Sequence, residues 1–524
     1  MKRKKHAVQK TVDESMSGIR PGPWYNADRY QFTAFIIACA LFCYTCFRAG
    51  VISISHDEAL TYLIHAQGSI RNIFLHAGAI SSNNHLLNTL FIKFFCEVLG
   101  NNEFVIRIPA LIGHILYLVA SLKILDLFFK KAKYLLGFLL LTTNPFLLDF
   151  FSCARGYALG VGFLMFGLYF FLKRNYACDS LRPRCNILTL SMLGFSVLSN
   201  LAFANVLFAI MALIGISEIY EMIRAAKNSM VKAFKTLAMG FLIPAACILI
   251  VLRFIYSAPV MDRIKLFITD YGGTTGFWAN TVTTVLECVL YGKSYAGPEA
   301  LHVIKIIIFM LYVIALIVAI SIGINGRPGN KNNTNTLWLA MLLLLIIVSM
   351  NIQFTFFHIK YAIDRAAIYL VPLYLVLVIS FWSSLSSSAH SAWRAIMNGF
   401  FFVIISAAVL HGILCMNITH FHIWKYDADT KNVMRKIYDL TKNNIPGGNK
   451  YRIGINWLFE PATNYYIIKD KTYWIDFTTR QGPDGIYDFY YLLEPDKEII
   501  KKYDLRVLRS SDISNAILAS RNGI

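Results

Sequence analysis

The first apolar stretch of the chain reads "FTAFIIACALFCYTCFRAGVISISHDEALTYLIHAQ" over residues 32–67. Residues 32–54 are long enough to cross a membrane as a helix, which takes about 20 apolar residues. His56, Asp57 and Glu58 follow directly, and an amphipathic pattern begins after them. Charged groups at the edge of a span cost free energy and usually have a partner or a task. This stretch therefore predicts a membrane fold and marks where chemistry would occur.

The rest of the chain has the same character. Of its 524 residues, 56% are hydrophobic and only 15% are charged, whereas a soluble domain has about 25% charged residues. Hydropathy predicts about eleven transmembrane helices, and hence a polytopic α-helical membrane protein. The predicted spans are 32–54, 105–129, 134–151, 156–172, 186–199, 201–219, 236–257, 301–323, 337–357, 366–385 and 397–418.

The loops predict an orientation. Alternate loops are rich in Lys and Arg and almost free of acids, and such loops stay on the cytoplasmic side. The net charge of +20 is thus explained by membrane topology, and no nucleic-acid partner is predicted. We expect a cytoplasmic tail (1–31), a transmembrane domain (32–419) and a C-terminal domain (420–524) on the periplasmic or extracellular side. The membrane would be a plasma membrane or a bacterial inner membrane.

The C-terminal domain is predicted to be a small α/β unit, because its patterns alternate between helix and strand. Predicted helices cover 430–444, 461–470 and 495–503, and predicted strands cover 451–459, 472–477, 487–493 and 505–509.

The loop after the first span, residues 55–103, is unusually long and carries two amphipathic patterns, with apolar faces toward lipid or protein. Asp57 lies at the start of the first pattern, where an acid is often an ordinary helix cap. Two other loops on the same side bring Arg155 and Arg365 to the same membrane boundary. A carboxylate can accept a proton from an attacking hydroxyl, and arginines can stabilise a phosphate leaving group. The combination suits sugar transfer from a lipid phosphate.

Four segments resemble one family. "HDE" (56–58), "GNNEFVIRIPALI" (100–112), "SCARGYALG" (152–160) and "YAIDRAAIYLVPLY" (361–374) resemble, in order and sidedness, the motifs of GT-C membrane glycosyltransferases. The closest branch comprises protein O-mannosyltransferases and the aminoarabinose transferase that modifies lipid A. The chain departs from the pattern at "NNHLLNTL" (83–90), where many relatives have "HPPLYY".

This resemblance implies a glycosyltransferase that takes a sugar from a polyprenyl-monophosphate donor with inversion and passes it to a protein, glycolipid or glycan acceptor. It implies that Asp57 is the catalytic base and that Glu58 assists it. The donor phosphate would be bound by Arg155, Arg365 and Lys360. The pocket would be lined by His56, His85, Tyr157, His358 and Tyr361.

Other interpretations stay open at this stage. No cofactor is required, although His56, Asp57, Glu58 and His85 offer the oxygen and imidazole donors that suit Mn²⁺ or Zn²⁺. A transporter or a flippase for lipid-linked sugars is the main alternative function, and a non-catalytic partner subunit is another. Transporters concentrate polar groups near the bilayer midplane, whereas the charges of this chain cluster at one membrane edge.

Overall fold

The computed structural model describes residues 28–77, 83–226, 229–268, 271–324, 331–386, 391–445 and 449–522. Most of these residues are helical. The predicted cytoplasmic tail falls almost entirely outside the described residues. In chain order the helices of the membrane region are α1 (Arg29–Val51), α2 (His56–Leu60), α3 (Ile70–Phe74), α4 (Leu86–Leu99), α5 (Glu103–Phe128), α6 (Lys131–Thr142), α7 (Pro145–Phe150), α8 (Gly156–Lys173), α9 (Arg182–Ser199), α10 (Ala204–Ala226), α11 (Met230–Leu237), α12 (Ile243–Ile255), α13 (Ala258–Ile268), α14 (Thr283–Leu290), α15 (Pro298–Ile324), α16 (Lys331–Phe357), α17 (Leu370–Ser386) and α18 (Ser391–Cys415).

The prediction of a polytopic helical membrane protein is confirmed. Among the described residues, nine helical segments are long and apolar enough to cross a membrane. They correspond to α1, α5, α8, α10, the continuous run of α11 and α12, α15, α16, α17 and α18.

Every predicted span coincides with a helix, but two of the spans are not a single helix long and apolar enough to cross a membrane. The predicted span 134–151 is divided into α6 and α7, because Pro145 begins a new helix whose cap is Asn144. The Asn144 side chain accepts a hydrogen bond from the Leu147 amide at 3.1 Å. The predicted span 186–199 is α9, an 18-residue helix that is not among the nine.

The helices pack closely where the chain has small residues. In α5, a Cβ atom added to Gly113 would lie 2.5 Å from the carbonyl carbon of Ala158 in α8. Only glycine permits this approach of two helix backbones. Because α8 begins immediately after Arg155, the contact fixes that arginine relative to α5 and to the loop before it.

The loop after the first span is helical, as its sequence pattern predicts. After α2, the residues Thr61–Ala66 form one wider helical turn, and α3 and α4 follow. Phe94 and Val98, on the predicted apolar stripe of α4, are 59% and 65% exposed and therefore face away from the protein, as expected beside lipid. Residues 78–82 of this loop lie outside the described residues.

The C-terminal region forms a small α/β unit around one sheet. Helices α19 (Thr430–Thr441), α20 (Glu460–Lys469) and α21 (Glu498–Lys502) accompany strands β1 (Ile453–Ile455), β2 (Phe489–Leu492), β3 (Arg506–Ser510) and β4 (Ile517–Ser520). The strand order is β1-β2-β4-β3, with β1 parallel to β2 and the other pairs antiparallel.

Two details of this region differ from the sequence prediction. The predicted strand 472–477 is wrong: it makes one isolated bridge, between Tyr451 and Ile475. Its pairing is limited because the chain turns at Lys471, which has a positive φ of 52°. Strand β4 was not predicted, since "ILAS" lacks the aromatic residues of the other strands. The domain boundaries at 31 and 419 remain predictions.

The C-terminal unit contacts the membrane domain through a buried carboxylate. Glu103, at the start of α5, is 4% exposed. Its side chain forms ion pairs with Lys431 at 3.0 Å and Lys469 at 3.1 Å, and it accepts a hydrogen bond from the Tyr466 hydroxyl at 3.1 Å. These contacts place α19 and α20 beside the loop after the first span.

Candidate functional site

Asp57 is held between two arginines from distant parts of the chain. Its Oδ2 atom lies 3.5 Å from Nη2 of Arg155 and 3.4 Å from Nη2 of Arg365. The carboxylate is 7% exposed. The structure therefore brings together the three residues that the sequence placed at one membrane boundary, although about a hundred residues separate Asp57 from Arg155 and about two hundred separate Arg155 from Arg365.

Neighbouring polar groups fix this arrangement. Asn83 donates to Asp57 Oδ1 at 3.4 Å and accepts from Arg155 Nη2 at 2.9 Å. Arg155 also donates through Nη1 to the Thr61 hydroxyl at 3.2 Å. Arg155 thus contacts the Asp57 carboxylate, the Asn83 side chain that also binds Asp57, and Thr61, which directly follows the helix that carries Asp57. Such a network restricts the side chains to one geometry, as a preorganised site requires.

The charges decide the protonation state of Asp57. Burial by itself raises the pKa of a carboxyl group, but Arg155 and Arg365 outweigh that effect and hold the pKa of Asp57 below its ordinary value. The carboxylate is therefore ionised at neutral pH. In this arrangement it is a weak base, because both arginines stabilise its charged form.

Glu58 has surroundings of a different kind. It completes a capping box with Ser55 at the start of α2. Arg107 donates to its two oxygens from Nε and Nη2, both at 2.8 Å, and the Ala154 amide donates at 2.6 Å. Burial acts to raise the pKa of Glu58, but Arg107 outweighs it and the pKa is lowered. Both carboxylate oxygens of Glu58 accept hydrogen bonds from the protein, so Glu58 has a structural role beside Asp57 rather than a role in binding a ligand.

The segment after Arg155 packs against the first loop. A Cβ atom at Gly156 would lie 2.6 Å from Cβ of His85, so a larger residue would push the two segments apart. The His85 ring meets the Tyr157 ring edge-on, with centroids 5.3 Å apart. Burial is the main reason that the pKa of His85 lies well below its ordinary value. His85 and Tyr157 therefore line the site, with His85 neutral.

Arg365 is flanked by aromatic rings. Its Cζ atom lies 5.2 Å from the Tyr271 ring centroid and 5.4 Å from that of Trp424, within the range of about 6 Å for cation–π contacts. The side chain is 21% exposed. The edge of the Arg365 guanidinium group faces Asp57, while the Tyr271 and Trp424 rings cover its faces.

The residues just before Arg365 occupy a separate position. Tyr361 pairs through its backbone with Gly273, and its hydroxyl donates to Asn351 at 2.9 Å. Lys360 is half-buried beside Gly272, and His358 is exposed with a φ of 55°. Among the described residues, none of these three side chains contacts Asp57.

His56 faces the C-terminal unit. Its Nδ1 lies 2.6 Å from the Leu458 carbonyl, and its backbone amide donates to Asp427 at 2.7 Å. Asp427 is buried, and burial raises its pKa well above the ordinary value. An acid of the tail therefore anchors the start of the helix that carries Asp57.

The C-terminal contribution was missing from the sequence interpretation. Trp424 covers Arg365, and Asp427 binds the start of α2. Both belong to "WKYDAD" (424–429), directly after the last span. The one available signal was that aromatic and acidic residues crowd at that membrane edge, which does not identify a partner.

Several buried polar atoms at the site have no hydrogen-bond partner among the described residues. They include Asp57 Oδ2, Arg155 Nε and His85 Nε2. Buried polar atoms are normally paired, and their concentration around one carboxylate is typical of a place where a ligand completes the bonding. Among the described residues, no group of three His, Cys, Asp or Glu side chains is placed to hold a metal ion.

A large apolar cavity adjoins the segment that precedes Arg365. It has a volume of about 1010 Å³ and is lined mainly by aliphatic side chains of α14, α15, α16, α17 and α18. Its polar margin includes Thr275, Gly276 and Asn351. Asn351 binds the Tyr361 hydroxyl, so the cavity adjoins the segment that leads to Arg365. The cavity has the size and lining of a site for a hydrocarbon chain.

No family model matches the chain, and no curated protein matches it. Solved structures with a similar arrangement include ArnT from Cupriavidus metallidurans in the apo state, with 10% identity, a TM-score of 0.47 and coverage of 93% of this chain and 97% of that one. The same protein bound to undecaprenyl phosphate has 9% identity, the same TM-score and the same coverages.

The oligosaccharyltransferase of Archaeoglobus fulgidus, tethered to an acceptor peptide with the NVT sequon, has 13% identity and a TM-score of 0.42. The match covers 84% of this chain and 63% of that one. At such identities and scores, the chemistry of this chain has to be argued from its own side chains.

Proposed function

We propose that this protein is an integral-membrane glycosyltransferase. It would move a sugar from a polyprenyl-phosphate donor to an acceptor hydroxyl at the outer face of the membrane. The observation that carries this proposal is the buried Asp57 carboxylate between Arg155 and Arg365. It supplies a proton acceptor and a phosphate-binding pair, and an apolar cavity suited to a lipid chain adjoins the segment that leads to Arg365.

The proposed reaction is a single displacement. The acceptor oxygen attacks the anomeric carbon of the donor sugar, and its proton passes to Asp57. The bond between the anomeric carbon and the phosphate oxygen breaks, and its electron pair leaves with the polyprenyl phosphate. Arg155 and Arg365 stabilise the charge that develops on the phosphate oxygens. Attack from the side opposite the leaving group inverts the anomeric configuration.

Donor binding would also change the strength of the base. In the structure both arginines face Asp57 and lower its pKa. A lipid phosphate would draw the guanidinium groups to its own oxygens, because charge-assisted contacts to phosphate are strong. Asp57 would lose part of its stabilisation, and its pKa would rise. The carboxylate thus becomes a better proton acceptor only when a donor is present.

Glu58 and Lys360 have supporting roles in this proposal. Glu58 positions α2 through Arg107 and therefore aims Asp57 without touching the substrates. Lys360, half-buried on the segment that leads to Arg365 and without a contact to Asp57, would attract the phosphate as it approaches. The pocket around the sugar would include His85 and Tyr157, which contact each other beside Arg155.

Replacement of Arg365 by Ala tests the phosphate role. We expect the full-length variant in lipid nanodiscs to bind undecaprenyl phosphate about tenfold to a hundredfold more weakly, since a hydrogen bond to a charged group contributes about 1.5–3 kcal/mol. Binding is measured by displacement of a labelled lipid phosphate. Arg452→Ala, an exposed arginine of the C-terminal unit, is the matched control. Equal binding by the Arg365 variant and the wild type would remove Arg365 from the donor site.

The orientation is a second part of the proposal, and it is supported by the Lys and Arg bias of the loops. Cys178 is exposed in the basic loop between α8 and α9, which we place on the cytoplasmic side. We expect a membrane-impermeant maleimide to label Cys178 in inside-out vesicles and not in sealed right-side-out vesicles. Cys178→Ser identifies the labelled site. Labelling of Cys178 in right-side-out vesicles would contradict this sidedness.

A further inference from the structure

A half-exposed tryptophan stands beside the helix that carries Asp57. Trp457 belongs to the C-terminal unit, is 49% exposed and meets the His56 ring edge-on at 6.1 Å between centroids. The Arg480 guanidinium carbon lies 5.9 Å from the centroid of the same ring. Glu460 pairs with Arg480 at 3.3 Å. We call Trp457, His56, Arg480 and Glu460 the Trp457 shelf.

The shelf is rigid, so the exposure of Trp457 does not come from a loose loop. Asn456 caps its short helix by accepting from the Leu458 amide at 3.1 Å, and it donates to Asp496 at 2.9 Å. On the other side, Asn464 donates to Glu460 at 3.1 Å and is itself bound by the Thr478 amide at 2.8 Å. An exposed aromatic ring in a fixed frame is typical of a binding surface.

His56 connects the shelf to Asp57. A carbonyl oxygen can only accept, so the contact with Leu458 fixes the proton on Nδ1 of His56. Burial lowers the pKa of His56, and the neutral ring therefore presents Nε2 as an acceptor. Asp57 is the next residue, so the shelf borders the start of the helix that carries the base.

We propose that the Trp457 shelf binds a pyranose ring of the acceptor, so that the acceptor is a glycan or the sugar headgroup of a glycolipid. This inference rests on the proposed function. The apolar face of a pyranose covers an indole ring, while its hydroxyl groups bind charged and neutral polar side chains. The shelf offers a carboxylate acceptor at Glu460, guanidinium donors at Arg480 and an imidazole acceptor at His56.

A peptide acceptor fits this surface less well. An extended peptide binds mainly through main-chain hydrogen bonds. The main chain around Trp457 is already used: the Phe459 amide donates to Asn456, the Leu458 carbonyl accepts from His56, and the Asn456 amide donates to Tyr491. A ligand on the shelf would therefore contact mainly side chains, and the chemistry of these side chains matches a saccharide.

The test uses the full-length protein in nanodiscs, applied to an array of immobilised pyranose oligosaccharides and to an array of Ser/Thr peptides. We expect the wild type to bind a subset of the oligosaccharides. Trp457→Ala should weaken that binding about tenfold, because the face that covers the sugar is lost, and Trp457→Phe should retain most of it, because an aromatic face is kept. Tyr473→Ala, a 73% exposed aromatic of the same unit, is the matched control.

Binding of undecaprenyl phosphate is measured on the same samples, which separates this inference from the proposed function. Lipid-phosphate binding without oligosaccharide binding overturns the shelf and leaves the transferase proposal intact. Trp457-dependent binding to peptides, or oligosaccharide binding unchanged by Trp457→Ala, also overturns it. Trp457-dependent oligosaccharide binding without lipid-phosphate binding supports the shelf and counts against the lipid-phosphate donor.

Discussion

Replacement of Asp57 by Asn is expected to reduce sugar transfer about a thousandfold, within the range that general base catalysis contributes. The amide has nearly the same shape as the carboxylate but cannot take the proton of the acceptor hydroxyl. The rate is measured in membranes, and the envelope glycans of cells that carry only the variant are compared with those of the wild type by mass spectrometry.

The same variant should keep its affinity for the donor lipid. Without the Asp57 charge, Arg155 and Arg365 are free to bind phosphate, so we expect undecaprenyl phosphate to bind at least as tightly as in the wild type. Asp439→Asn, an exposed carboxylate of α19, controls for the loss of a negative charge. Unchanged transfer by the Asp57 variant would refute the assignment of Asp57 as the base.

Replacement of Glu58 by Ala is expected to act on stability rather than on the chemical step. Arg107 is fully buried, and Glu58 is its carboxylate partner. Removal of one member of a buried ion pair costs about 3–5 kcal/mol. The amide groups of Ser55 and Ala154 also lose their acceptor. Thermal unfolding in nanodiscs should show a large decrease in melting temperature.

A surface ion pair provides the comparison. Glu97 pairs with Lys93 one turn away on α4 and is 63% exposed, so Glu97→Ala should change the melting temperature little. If Glu58→Ala melts like the wild type yet loses transfer, Glu58 acts in the chemistry and its framing role is disproved.

The membrane fold was predictable because it depends on local composition. Length and hydropathy identify a spanning helix without knowledge of its neighbours, and each of the predicted spans coincides with a helix. The break at Thr143–Asn144 depended on a capping side chain that hydropathy does not register. The sheet was harder to predict, because β4 is a four-residue segment without aromatic residues that becomes a strand only between β2 and β3.

The sequence allowed us to predict which residues lie at the same membrane edge, but not how they contact one another. Topology placed Asp57, Arg155 and Arg365 on the same side, and the structure places them in contact. The positions of Asp57 and Glu58 in the chain do not by themselves distinguish an open carboxylate from a structural one. The pattern Ser55-x-x-Glu58 is that of a capping box, and it is the one local sign that Glu58 is structural. The tail residues Trp424 and Asp427 depend on contacts between distant segments, for which a single sequence has no signal.

The hydrogen bond from the His56 amide to Asp427 spans 371 residues of sequence. A ribosome adding about 5–20 residues per second needs roughly 20 to 70 seconds to cover that distance. With the proposed orientation, the first loop is translocated during this interval, before the last hundred residues supply the Asp427 contact. Under the proposed function, the newly made protein would therefore remain inactive until synthesis is complete, and premature termination would leave an inserted but inert product.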